Sequence, residues 1–274
     1  MLPSILVFAI AGSLASTALA ACTSATLQNA TAYYLLAQSA GNPSLLPLAS
    51  NVSYFENDVP VSISESLLSQ KMLWDMAHRI HDTAACTAFV ELTAAVNPHP
   101  YIIATRLVLT STGDKITKIE SVVSDAGDWL FNATSFLNWG LKESWAPIES
   151  SAQDSRSVIQ AAGDAYLDSW GNGSVPVPYG TPCARLEGGL YTGERNASSN
   201  SCVMPEFPVK PFYIGNRRYV IDQQLGAVAI FNDFPFIDKS RPNGTQSVNF
   251  VRVQRGEIRF IHEITVCWVN NCGR

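Results

Sequence analysis

The stretch Gln254-Arg255-Gly256-Glu257-Ile258-Arg259-Phe260-Ile261-His262-Glu263-Ile264-Thr265-Val266-Cys267-Trp268 sets a Gly-containing turn before a long run of branched and aromatic residues. Such a run predicts a strand over 257–268, and the turn folds it back on 249–254 as an antiparallel hairpin. With period 2, Ile258, Phe260, His262, Ile264, Val266 and Trp268 share one face, while Arg259, Glu263 and Thr265 point the other way. His262 is the one polar residue on that apolar face. It is either a core histidine satisfied by one hydrogen bond or a pocket imidazole able to exchange a proton near neutral pH. Asp222, in Tyr219-Val220-Ile221-Asp222-Gln223-Gln224-Leu225, has apolar neighbours on either face, so it must be paired or sit at a strand end. It is a candidate to orient or activate His262.

The same pattern occurs earlier in the chain. Residues 101–110 and 115–124 flank the turn Ser111-Thr112-Gly113-Asp114, after a β-type run at 87–96, as 218–234 precedes the second hairpin. Helical spacing of apolar positions over 25–40 and 154–170 opens each half, with Asp154 as a plausible N-cap. A Pro-containing loop then leads to Glu56, 22 residues after Tyr34, and to Glu187, 21 after Tyr166. Helix first and then a curved meander is an α+β layout in which a concave sheet wraps a helix. It resembles the NTF2-like or SnoaL-like cone used twice in tandem, over 22–145 and 151–272, joined by 139–153.

Residues 5–20 are apolar, uncharged and end in Ala18-Leu19-Ala20, which predicts a cleaved signal peptide over 1–20. The segment is short for a membrane span, so no stable anchor is expected after cleavage. All six cysteines follow it, an even number suited to three disulfides in an oxidising compartment. About 15 pairings are open. The local choices are Cys183 with Cys202 and Cys267 with Cys272, which leaves Cys22 with Cys86. Sequons at Asn29, Asn51, Asn132, Asn172, Asn196 and Asn243 predict a glycoprotein with those segments on the surface. Only 15% of residues are charged and the first is Glu56, so solubility leans on Ser, Thr, Asn and glycans. The net charge of −5 with scattered basic residues gives no nucleic-acid footprint.

Further candidates come from polar residues in apolar settings. Cys183-Ala184-Arg185-Leu186-Glu187-Gly188-Gly189 is dense enough in reactive types and glycine to line a pocket, with a surface Arg–Glu pair as the plainer reading. Arg106, on a face with Ile102, Ala104 and Val108, needs a carboxylate, either Glu56 or Glu120. Tyr54, Trp74 and Trp129 are candidate cavity walls. His78-Arg79-Ile80-His81 has a metal-like spacing, but in an extended run its two rings point to opposite faces, and no metal site is expected.

On Arg185-Leu186-Glu187-Gly188-Gly189, Tyr191-Thr192-Gly193, Arg218-Tyr219-Val220-Ile221-Asp222 and Ile258-Arg259-Phe260-Ile261-His262, the second half resembles a domain of unknown function found in secreted fungal proteins. The first half, with Tyr54-Phe55-Glu56-Asn57 and Pro100-Tyr101-Ile102-Ile103, is similar to the same group. That group includes hetero-Diels–Alderases of fungal tropolone sesquiterpenoid pathways. The resemblance implies a cofactor-free cyclase that joins a tropolone o-quinone methide to a humulene-type olefin. It would act on small apolar polyketide and terpene substrates in the secretory lumen or outside the cell. His262, Arg185 and Asp222 are then the candidate hydrogen-bond or proton donors, and Tyr54, Trp74, Arg106, Glu187, Phe260 and Trp268 the candidate substrate contacts. A SnoaL-type isomerase or dehydratase and a carrier of hydrophobic metabolites are the competing readings. An isologous homodimer is the default assembly for such a fold.

Overall fold

A computed structural model of the chain describes residues 22–204, 211–235 and 237–273. The expected signal peptide and its cleavage site lie outside the described residues. The first half comprises helix α1 (Ser24–Ala40) and strands β1 (Leu48–Glu56), β2 (Val59–Pro60), β3 (Met76–Asp82), β4 (Thr87–Ala94), β5 (Tyr101–Leu109) and β6 (Ile116–Ser124). After the short helix α2 (Ala133–Gly140) and an extended join, the second half repeats the series. It has α3 (Arg156–Gly171), β7 (Tyr179–Glu187), β8 (Leu190–Tyr191), β9 (Gly215–Asp222), β10 (Ala227–Phe234), β11 (Thr245–Gln254) and β12 (Glu257–Thr265).

The two sheets have the same order, β2-β1-β6-β5-β4-β3 and β8-β7-β12-β11-β10-β9. In each, one pairing is parallel, β1 with β6 and β7 with β12. The chain is therefore α+β, two tandem cones in which a curved sheet holds a helix. Thr23 caps α1 through reciprocal bonds with Thr26, and Gly41 ends it in the left-handed region. Helix α3 is capped by Ser155, one residue later than the sequence suggests; Asp154 instead accepts the backbone N–H of Gly256. At Gly163 a Cβ would stand 2.7 Å from Ile230 Cδ1, so glycine lets α3 lie close on its sheet.

Each sheet is apolar on both faces. The concave faces pack on α1 through Leu27, Tyr34 and Val90, and on α3 through Ile159, Tyr166 and Val251. The outer faces pack on each other: Ile80, Phe89 and Ile102 from one sheet meet Val220, Phe231 and Phe250 from the other, with Phe136 of α2 between them. In consequence every residue of β4 is buried.

The contact between the sheets is reciprocal. Asp82 and Asp222 end β3 and β9 at equivalent positions. Asp82 accepts the N–H of Ile221 at 2.9 Å, and Asp222 accepts the N–H of His81 at 2.9 Å. Each also caps its own turn, through Ala85 N and Leu225 N. Residue i touches j′ and i′ touches j, the signature of a two-fold interface, here made within one chain.

The cysteines pair as Cys22–Cys86, Cys183–Cys202 and Cys267–Cys272, with no free thiol, which fits an oxidising secretory or extracellular environment. All six sequon asparagines are exposed. Among the described residues no helix is long and apolar enough to cross a membrane.

Removing an acceptor that two backbone N–H groups share should cost about 2–4 kcal/mol. Asp222→Ala is expected to lower the urea midpoint accordingly. A midpoint unchanged from the wild type would show that the reciprocal aspartates do not hold the halves together.

Candidate functional site

The sheet–sheet interface carries a buried chain of charge. His262, on the outer face of β12, has Nδ1 2.8 Å from Glu91 Oε2 and Nε2 2.7 Å from Glu143 Oε2. His78 of β3 places its own Nδ1 3.0 Å from the same Glu91 oxygen. Glu91 stands directly opposite His78 across the β3–β4 ladder, so one strand pair delivers both. Glu143 comes from the join between the halves. The join is held down by Arg252, a fully buried cation that donates to Ala146 O at 2.7 Å and to Leu225 O. The same segment supplies Trp145, whose ring stacks on Phe250 with centroids 4.2 Å apart and whose indole N–H donates to Glu143.

Burial alone disfavours the His262 imidazolium, but the carboxylates of Glu91 and Glu143 outweigh it and hold the pKa up at about 10. Burial likewise raises the Glu91 carboxyl, and the two imidazoles more than reverse this, bringing it to about 2. His78, Glu91 and His262 have ligand atoms within 4.8 Å of one another, close enough to hold a metal ion. Both nitrogens of His262 also face carboxylates, Glu91 on one side and Glu143 on the other.

Glu91 Oε2 is an acceptor, so His78 Nδ1 donates to it, and Nε2 makes no hydrogen bond among the described residues. His78 lies in the wall of a cleft of about 600 Å³ between the two cones, with Thr31, His81, Trp145, Asp222 and Phe250. His81 also faces it, bonded to Thr31 Oγ1; burial lowers its pKa, with Asp222 opposing and Arg79 reinforcing the shift. His78 and His81 do point to opposite faces of β3, and the first of them is the one joined to the charge chain.

The residues singled out in the sequence do not form one constellation. His262 and Asp222 share the interface, but Asp222 is spent on the N–H groups of His81 and Leu225, and carboxylates from elsewhere orient the imidazole. Arg185 and Glu187 flank Leu186, the register partner of His262, and so project into the second cone on the opposite face of the sheet, bonded to each other. Tyr54 bonds Glu56 inside the first cone, and Trp74 packs against that core with its indole on Ser39. Arg106 finds Glu120 at 2.6 Å on the neighbouring strand. Phe260 lies near Trp145. Trp268 is exposed at the chain end beneath Arg241, away from His262. The predicted face of β12 is broken by a bulge at Arg259: Ile258 joins the second cone's core, and only from Phe260 onward does the face turn to the interface.

Glu91 and Glu143 were not picked out in the sequence. Glu91 carries a faint signal as the one charge in Ala88-Phe89-Val90-Glu91-Leu92. Glu143 carries none, because it lies in an irregular segment.

The signs of the two shifts fix a pH profile. The His262 contribution is complete below 6.5 and is lost as pH rises through about 10; that of Glu91 is complete above 4.5 and is lost as pH falls through about 2. His262→Gln leaves two buried carboxylates without their cation and should cost about 3–5 kcal/mol at pH 6. It should also flatten the alkaline limb in urea titrations run from pH 5 to 10. An equal alkaline decline in the variant would assign that limb to another group.

Residues 152–265, the second cone from near the start of its helix to its last strand, match the model of a family described as a domain of unknown function, DUF8021. Among curated proteins none matches the chain.

Proposed function

We propose that the protein is a secreted enzyme that works on apolar, oxygen-bearing substrates in the cleft between its two cones, with His78 Nε2 as the proton acceptor. The observation that supports this most is the His78 imidazole itself. One nitrogen is tied to a fully buried carboxylate, the other makes no hydrogen bond among the described residues, and the ring lines a cleft with the stacked Trp145 and Phe250. A carboxylate behind an imidazole fixes its tautomer and stabilises the imidazolium that forms when a proton is taken. His262 in turn holds Glu91 ionised and in place.

The reaction we assign is the hetero-Diels–Alder coupling that the sequence resemblance implies. Generating an o-quinone methide from a hydroxymethyl tropolone is a dehydration. His78 takes the ring-hydroxyl proton, the carbon–oxygen bond of the hydroxymethyl group breaks, and a proton returned to the departing hydroxyl gives water. The cycloaddition that follows moves no proton. It needs the diene and a humulene-type olefin held in contact, and orientation of this kind can supply about 7–11 kcal/mol. The Trp145–Phe250 wall provides the apolar surface for that contact.

Incubation of the purified protein with a hydroxymethyl tropolone and humulenol tests this reading. Adduct should form well above the uncatalysed background, and His78→Gln should slow it by about 100-fold or more while the protein still melts cooperatively. Background rates with wild-type protein that nonetheless binds both partners would make it a carrier. An unaltered rate in His78→Gln would remove that residue from the mechanism.

A further inference from the structure

The interface between the sheets has two equivalent places for charge, and different partners serve them. At one, the Glu120 carboxylate is met by Arg106 at 2.6 Å, Lys118 at 2.8 Å and Arg218 at 3.3 Å. At the other, no lysine or arginine bonds Glu91 or Glu143 among the described residues; the partners are His78 and His262, with the Trp145 indole on Glu143. The Glu91 side chain is fully buried, and that of Glu143 keeps 1% of its exposure. Even so, Oε1 of each has no hydrogen-bond partner among the described residues. A network made only to satisfy itself would not leave two carboxylate oxygens unmet in a desolvated interface.

We propose that His78, Glu91 and His262 bind a divalent transition-metal ion, zinc foremost, through both Nδ1 atoms and the Glu91 carboxylate. The two Nδ1 atoms converge on one Glu91 oxygen, at 3.0 and 2.8 Å, and one ligand atom from each residue lies within 4.8 Å of the others. Bonds of about 2.0–2.1 Å to zinc hold tetrahedral ligand atoms about 3.3 Å apart, so shifts of a few tenths of an ångström along these two hydrogen bonds make room for the ion. Two imidazoles and one carboxylate are a donor set of catalytic zinc, whereas magnesium and calcium favour shells of oxygen. Behind His262, Glu143 Oε2 lies 2.7 Å from Nε2, as a carboxylate stands behind a zinc-bound histidine and turns its other nitrogen to the ion. With the imidazoles as neutral ligands, one dication balances both carboxylates. The way in is the cleft, whose wall includes His78 with its side chain 15% exposed. His81, on the other face of β3, bonds Thr31 and takes no part. Once Nδ1 of His78 is on the ion, the ring proton is on Nε2, the atom that the proposed reaction uses as acceptor, so ion binding and that base role exclude one another.

Cobalt(II), titrated into the tag-free protein after treatment with a chelator, gives the readout through its visible ligand-field bands. The bands should saturate at one ion per chain, disappear when zinc is added, and persist in excess magnesium. His78→Gln should weaken cobalt binding by about 100-fold or more and Glu143→Gln by about 10- to 100-fold, both variants being checked to melt cooperatively. Glu143→Gln decides alone if the other does not fold. His99→Gln, which removes an exposed histidine, should leave binding unchanged. Protein that takes up neither cobalt nor zinc, undiminished binding in a folded His78→Gln or Glu143→Gln variant, or binding lost in His99→Gln would overturn the assignment.

Discussion

A six-stranded sheet with apolar side chains on both faces cannot be covered by one helix. Helix α1 or α3 fills the concave side, and the outer face of Phe89, Ile102 and Ile80 remains. Burying that face against water is worth about 25 cal/mol for each Å² removed, and the surface that fits it is another sheet of the same curvature. The tandem repeat supplies one in the same chain. The isologous pairing that a homodimer of single cones would make is thereby satisfied internally, and the reciprocal Asp82 and Asp222 bonds set its register.

Once two sheets are pressed together, any charge between them must find its partner there, and the two equivalent places have done so differently. Counting from Asp82 and Asp222 along the ladders, His78, Glu91, Arg106 and Glu120 of the first half correspond to Arg218, Phe231, Phe250 and His262 of the second. At one place His262 bridges Glu91 and Glu143, with His78 beside it. At the other, Glu120 collects Arg106, Lys118 and Arg218 near the surface. The second is a partly buried cluster in which three cations surround the buried Glu120. The first is desolvated and backs a cleft, the setting in which strongly shifted titration marks a candidate functional site.

Legibility in the sequence followed the range of the interactions. Both hairpins, both long helices and the Arg106–Glu120 pair depend on neighbours within a strand or one turn, and they are readable from periodicity and turn chemistry. The two local disulfides are of the same kind. Strands β1 and β7 are not, because each takes its register from a parallel partner far along the chain, and the half-exposed run Ala49-Ser50-Asn51-Val52-Ser53 of β1 alternates weakly. The bulge at Arg259 shifts a face without changing composition. The His262–Glu91 contact joins residues 171 apart in sequence, across an interface that no local pattern announces. His262 was visible as an anomaly; its partners were not.

Strand β12 joins the interface between the sheets to the core of the second cone. His262 and Glu263 are consecutive, so the alternation of a β-strand sends one to the cleft-side charge chain and the other into the second cone. Both are fully buried ionisable groups, and their environments drive them to opposite states near neutral pH, the imidazole charged by its two carboxylates and the carboxyl neutral beside Glu187. A bulge at Arg259 gives the strand the freedom to present this pair in register with both β7 and β11. The residues that most resist burial thus sit where the fold is most completely closed, one on each face of the same strand. The apolar packing of helix and second sheet is what holds them there.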